Sequence, residues 1–150
     1  MEPTYHDGEY ILTDKISFRL GGPQRGDVVV FRSPKNQDVD FIKRIIGLPG
    51  EKLKIKGGKV YINGNILDES TYLDPSVYTG PESFLSENTE ITVPQNNYFS
   101  MGDNRSGSSD SRDFGPVPPT EFIGKVFFRY WPIDRFGLIK RPNYPEMSLL

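Results

Sequence analysis

At 150 residues, the chain has the size of a single domain and is long enough to bury a real core. Its 35% hydrophobic and 25% charged residues exclude wholesale disorder, and its balance of 18 basic against 20 acidic residues is not that of a nucleic-acid binder. With no cysteine and a single histidine, His6, it can build neither a disulfide framework nor a structural zinc site.

Strand signals dominate from one end to the other. Tyr10 to Leu12 is a short apolar run. Val28 to Phe31 is β-branched and aromatic, introduced by Arg25-Gly26-Asp27 and stopped by Ser33-Pro34. Phe41 to Ile46 follows, ended by Gly47-Leu48-Pro49-Gly50. Leu53 to Lys56 alternates, Gly57-Gly58 supplies a two-residue turn, and Val60 to Ile62 returns, which predicts a hairpin. Asn63-Gly64 marks another turn. Glu90 to Val93, Tyr98 to Met101 and Val126 to Trp131 complete the strands, and Pro119 to Ile123 offers one short helical turn. The expected fold class is mainly β, with antiparallel sheets in one domain over residues 1–150.

Residues 67–88 stand apart, being rich in Ser, Thr, Tyr, Pro and acids with weak periodicity; they predict an irregular, solvated insertion. From Val60 to Asn104 there are seven acidic residues and no Lys or Arg. An alternative use of that asymmetry is a basic remainder that faces an anionic membrane. No apolar run reaches the roughly 18 residues of a membrane span, and Met1-Glu2-Pro3-Thr4 does not open a signal peptide. The expectation is either a soluble protein or an anchor upstream of this chain.

Three motif matches carry no function. Arg25-Gly26-Asp27 is an adhesion tripeptide that leads straight into a strand. Gly21 and Gly26 have phosphate-loop spacing, but Asp27 stands where the lysine is needed. Asn104-Arg105-Ser106 is a glycosylation sequon by pattern only.

Two segments carry chemistry. In Asp40-Phe41-Ile42-Lys43-Arg44-Ile45-Ile46, alternation puts Phe41, Lys43 and Ile45 on one face and Ile42, Arg44 and Ile46 on the other. Each face holds two apolar residues and one cation, so periodicity does not say which is covered. Either both cations reach water, or Lys43 is buried and its neutral amine becomes a general base. The second segment, Gly102 to Gly115, is a dense polar loop after a strand, with three glycines and a run of hydroxyls. Asp110 and Arg112 are spaced to clasp and brace it, and a serine here can orient a lysine amine as the third group of a triad orients its base.

These residues resemble type I signal peptidases, the membrane-bound serine proteases with a Ser-Lys dyad. Met1-Glu2-Pro3-Thr4 is similar to the end of the family's Ser-Met-x-Pro-Thr block, and Arg25 to Phe31 to its second. Asp40 to Glu51 resembles the lysine block, and Gly102-Asp103-Asn104-Arg105 through Ser109-Asp110-Ser111-Arg112 the last. The resemblance implies that Lys43 is the general base, Ser108 the serine that orients it, and Asp110 and Arg112 the bracing pair, with Asp103 and Asn104 as further structural support. It implies that Met1, Phe41 and Ile42 line a shallow pocket for small side chains.

The implied activity is removal of signal peptides from secreted preproteins after Ala-x-Ala-like sites, without metal or cofactor. The implied setting is the extracytoplasmic face of a cell membrane or a thylakoid membrane. The implied partners are signal peptides and a lipid surface, and no nucleic acid, with a monomer expected. In the family the nucleophilic serine directly precedes the position of Met1. None is present here, so the fragment is expected to be inactive, the simplest account being a boundary one residue late. The rival expectation is a pseudoenzyme that binds signal peptides or a partner without cutting.

Overall fold

The computed structural model describes residues 1–145. Among these, ten strands pair antiparallel in two sheets, with two helices of one turn each. In chain order the elements are β1 (Tyr10–Asp14), α1 (Ser17–Gly21), β2 (Val28–Arg32), β3 (Asp40–Gly47), β4 (Lys52–Lys56), β5 (Lys59–Ile62), β6 (Asn65–Ile66), β7 (Ile91–Thr92), β8 (Phe99–Met101), α2 (Ser111–Phe114), β9 (Phe122–Trp131) and β10 (Gly137–Leu138). One sheet runs β1-β9-β2-β3-β8 with β10 added to β9, and the other runs β6-β5-β4-β7.

The β4–β5 hairpin forms where Gly57-Gly58 predicts it. Both glycines have positive φ, 57° and 75°, as a primed two-residue turn requires. The helical turn foreseen at Pro119 to Ile123 is a 3-10 turn at Pro119–Glu121. Phe122 already belongs to β9, which therefore starts four residues before the predicted Val126. β9 can run through Gly124 because the missing side chain admits Thr13 of β1, whose Cβ would lie 3.0 Å from an added Cβ.

Three apolar clusters hold the sheets. The largest joins Ile46, Leu53, Ile55, Val60, Ile62, Leu85, Phe99 and Met101 between the two sheets. A second gathers Val29, Phe31, Ile45 and Val117 with Phe41 and Phe114 against them. The third joins Tyr5, Val28 and Val126 with Met1, Ile42 and Ile139. Because β3 contributes to all three, its residues are fixed on both faces. Among the described residues, no helix is long and apolar enough to cross a membrane.

Candidate active site

The site starts from β3. Its C-terminal half is flanked by β2 and by β8, whose pairing begins at Arg44 opposite Met101. Both faces of that half are covered, so its two cations are buried: Lys43 is 9% exposed and Arg44 2%. Of the two alternatives that alternation leaves open, the structure takes the one in which Lys43 is buried. Lys43 Nζ donates to Ser108 Oγ at 2.9 Å and lies 5.0 Å from the centroid of the Phe41 ring. Burial holds the Lys43 amine below the ordinary lysine pKa; the Asp110 carboxylate pulls it back up, and the Arg112 guanidinium reinforces the burial effect.

That shift has a signed consequence for stability. Between the depressed folded pKa and the ordinary lysine value, the unfolded chain binds more protons, so stability rises with pH through this window. Below the window the folded state carries the full cost of a buried ammonium. Lys43→Met is therefore expected to melt above the parent at neutral pH, with the gap closing toward the ordinary lysine pKa. Melting curves across that range check it, and a gap independent of pH would show a lysine that titrates as if exposed.

Ser108 sits in a loop with little regular backbone bonding. β8 stops at Met101 and α2 starts at Ser111. Within residues 102–110, the turn bond from Gly107 N to Asn104 O is the internal backbone link. Side chains do the rest. Asp110, fully buried, accepts from Gly102 N at 3.0 Å, caps α2 by accepting from Arg112 N, and receives the Arg112 guanidinium at 2.9 and 2.8 Å. Arg112, 1% exposed, also donates to the Gly80 carbonyl at 3.1 Å.

Gly102 has a role that the motif alone does not reveal. A Cβ there would lie 2.6 Å from Ser108 Cβ, closer still to Ser108 Oγ, and 3.5 Å from Lys43 Nζ. The Lys43–Ser108 contact thus occupies space that only glycine leaves open. The three glycines of the loop are visible in the sequence; which one faces the lysine is not.

On the other face of β3, Arg44 donates to Asp103 at 2.9 and 2.7 Å and to the Gly26 carbonyl at 3.1 Å. Thr4 also hydrogen-bonds the Asp103 carboxylate, and the Asp103 backbone N–H meets Met1 Sδ at 3.4 Å. These contacts place the Met1 end of the chain beside the loop. Asn104 keeps to its own loop, where its side-chain oxygen accepts from Ser106 at 3.3 Å.

The three residues assigned to a substrate pocket do not form one wall. Phe41 lies on the Lys43 face with Phe31 and Phe114, whereas Ile42 lies on the opposite face in the cluster that takes Met1. Residues 40–42 pair with β2 and not with β8, which leaves one edge of β3 open beside Lys43.

Residues 67–88 contain no helix or strand and are mostly exposed, as expected of an irregular insertion, but a few of their side chains anchor it to the body. Leu67, Leu73, Thr79 and Leu85 are buried. Glu69 pairs with Arg105 of the 102–110 loop at 3.1 Å, and the Tyr72 ring covers Arg44, whose Cζ is 4.0 Å from the ring centroid. The acids of this segment partly serve to neutralise buried arginines. Among the described residues, no group of three or more His, Cys, Asp or Glu side chains is placed to hold a metal ion.

A family model described as "Signal peptidase, peptidase S26" matches residues 1–131. A protein named "Probable signal peptidase I-2" from Synechocystis sp. is 41% identical over 145 residues, which covers 93% of this chain and 62% of that relative. Signal peptidase IB of Staphylococcus aureus is 35% identical over 147 residues, covering 91% of this chain and 75% of the relative. Among solved structures, a signal peptidase I from Enterococcus faecalis matches with a TM-score of 0.53 at 32% identity, over 69% of this chain and 95% of that chain.

Proposed function

The chain belongs to the signal peptidase family, peptidase S26, and on that premise we propose that it is the extracytoplasmic catalytic domain of a type I signal peptidase. The observation that carries the chemistry is the buried Lys43 amine, biased toward its neutral form and hydrogen-bonded to Ser108 beside the Met1 end of the chain. A serine hydroxyl just before Met1 attacks the scissile carbonyl while neutral Lys43 takes its proton. The tetrahedral oxyanion rests on the nucleophile's own backbone N–H and a hydroxyl upstream. Its collapse breaks the C–N bond, and the Lys43 ammonium protonates the departing amine. Lys43, neutral again, then deprotonates a water that attacks the acyl-serine; the C–O bond breaks, the Lys43 ammonium returns the proton to the serine oxygen, and the signal peptide is freed.

The substrate is a preprotein cut after an Ala-x-Ala-like sequence. An extended peptide fits the open edge of β3 at residues 40–42, just before the lysine, with Phe41 on the Lys43 face and Ile42 on the other. The second proposed partner is a lipid surface. Tyr10 and Leu12 of β1, Trp131 of β9, Ile133, Phe136, and Leu138 of β10 are exposed, Ile133 by 75% and Leu138 by 72%, on neighbouring strands and the turn between them. Aromatic and aliphatic side chains gathered in this way suit the bilayer interface.

In this reading residues 1–150 supply the base, and the hydroxyl it activates belongs to the serine that precedes the position of Met1 in the family. Alone it is therefore expected not to cleave an Ala-x-Ala peptide, and the chain preceded by the family's serine-containing segment is expected to cleave it, losing at least about a thousandfold in rate on Lys43→Ala. Cleavage by the unextended chain at a comparable rate would assign the nucleophile elsewhere. Peptide binding without cleavage by the extended chain would favour the binding-module reading.

A further inference from the structure

We propose that Tyr72 is a positioning residue for the catalytic loop: with Glu69 and Tyr144 it forms a brace that holds residues 102–105 so that Ser108 stays on Lys43. The role deepens the signal-peptidase reading and rests on it. The links are continuous. Gly102, against which Ser108 packs, has its carbonyl held by Arg105 Nε at 3.0 Å. The Arg105 guanidinium is buried and is held in turn by Glu69 at 3.1 Å and by Thr79 Oγ1 at 2.8 Å. Glu69 accepts from the Tyr72 hydroxyl at 2.8 Å, and Tyr72 accepts from the Tyr144 hydroxyl at 3.0 Å.

The same tyrosine acts on the other side of the loop through its ring. The ring lies over Arg44, whose guanidinium holds Asp103 at 2.9 and 2.7 Å. Both charged residues that flank Asn104 are thus tied to one side chain, Asp103 through Arg44 and Arg105 through Glu69. A loop with so little backbone bonding of its own takes its position from such ties. Tyr144 anchors the outer end. Its ring and Pro142 fill the space over Gly26, where a Cβ would lie 2.8 Å from Tyr144 Cε2. The brace therefore joins three segments far apart in sequence: the irregular insertion, the C-terminal run and the catalytic loop.

The test uses the unextended chain, so it does not depend on cleavage. Tyr72→Phe removes the hydroxyl links and keeps the ring over Arg44; Tyr144→Phe removes only the outer link. Lys43 is titrated by NMR with carbon-13 at Cε, and amide exchange is followed at residues 102–105. In Tyr72→Phe the Lys43 amine is expected to titrate closer to an ordinary lysine, as water gains access, and exchange at 102–105 to speed by about five- to tenfold. Strands β4 and β5 are expected to keep the exchange of the parent. Tyr144→Phe should move both readouts in the same direction by less, and it decides the matter alone if Tyr72→Phe fails to fold.

In the serine-extended chain, Tyr72→Phe is expected to lower kcat by about tenfold with KM unchanged. Unchanged Lys43 titration and unchanged exchange at 102–105 overturn the brace, as does a speeding of exchange spread evenly over the whole chain. If the extended parent does not cleave at all, it is the catalytic reading that falls, and the Lys43 titration still decides the brace.

Discussion

Gly102→Ala in the serine-extended chain is expected to abolish cleavage, with a fall of at least about a hundredfold in kcat/KM. The cause is a single methyl group. It would sit 2.6 Å from Ser108 Cβ and closer to Ser108 Oγ, and no real Cβ keeps such contacts. Gly102 cannot step aside, because its N–H is held by Asp110 and its carbonyl by Arg105. Ser108 must therefore move, and with it goes the 2.9 Å hydrogen bond that orients the Lys43 amine. Overpacking costs about 1–3 kcal/mol, so the variant should still fold. Turnover and far-UV spectra of parent and variant, side by side, check this. A folded Gly102→Ala chain with parental turnover would remove Ser108 from the mechanism.

Arg112→Ala is expected to destabilise the chain by about 3–5 kcal/mol, because it leaves the fully buried Asp110 carboxylate without its counterion. For a chain of this size that is a fall of roughly 10 °C or more in Tm. The Gly80 carbonyl also loses its donor, which loosens the insertion against α2. Asp110→Ala should cost a similar amount by a different route. It frees Gly102 N–H, removes the cap of α2 and leaves Arg112 to Glu82, 3.4 Å away and part-exposed. The double variant should lose less than the sum of the two, since the second change no longer strands a buried charge. Thermal melts of the three variants give the coupling directly. A loss within the roughly 0–1 kcal/mol of an exposed pair would place the clasp at the surface.

The site is partly legible in the sequence for a local reason. Lysine within an apolar strand, and Asp and Arg two residues apart after a polar loop, are short-range patterns, and they mark residues that the structure brings to Lys43. Gly102 stands in its block without a visible role, because a missing side chain signals nothing until its neighbour is known. Tyr72, Glu69 and Tyr144 carry no signal. Glu69 and Arg105 are 36 residues apart and Tyr72 and Tyr144 are 72 apart, and no periodicity spans such distances.

By itself the sequence determined the antiparallel, mainly β architecture and the positions of most strands, because β-branched and aromatic runs between Gly and Pro turns depend on local sterics alone. The short pieces β6, β10, α1 and α2 escaped it, since two to five residues hold too little periodicity to read. What only the tertiary structure decided is which faces are covered. Alternation along β3 places Lys43 and Arg44 on opposite sides but is blind to what lies on either side. Their burial follows from β8 pairing at Arg44, from the 102–110 loop closing over Lys43, and from residues 67–88 bringing Tyr72 onto Arg44. Desolvation depends on the whole set of neighbours, which is why the sequence marks Lys43 as a candidate and only the fold holds it toward its neutral form.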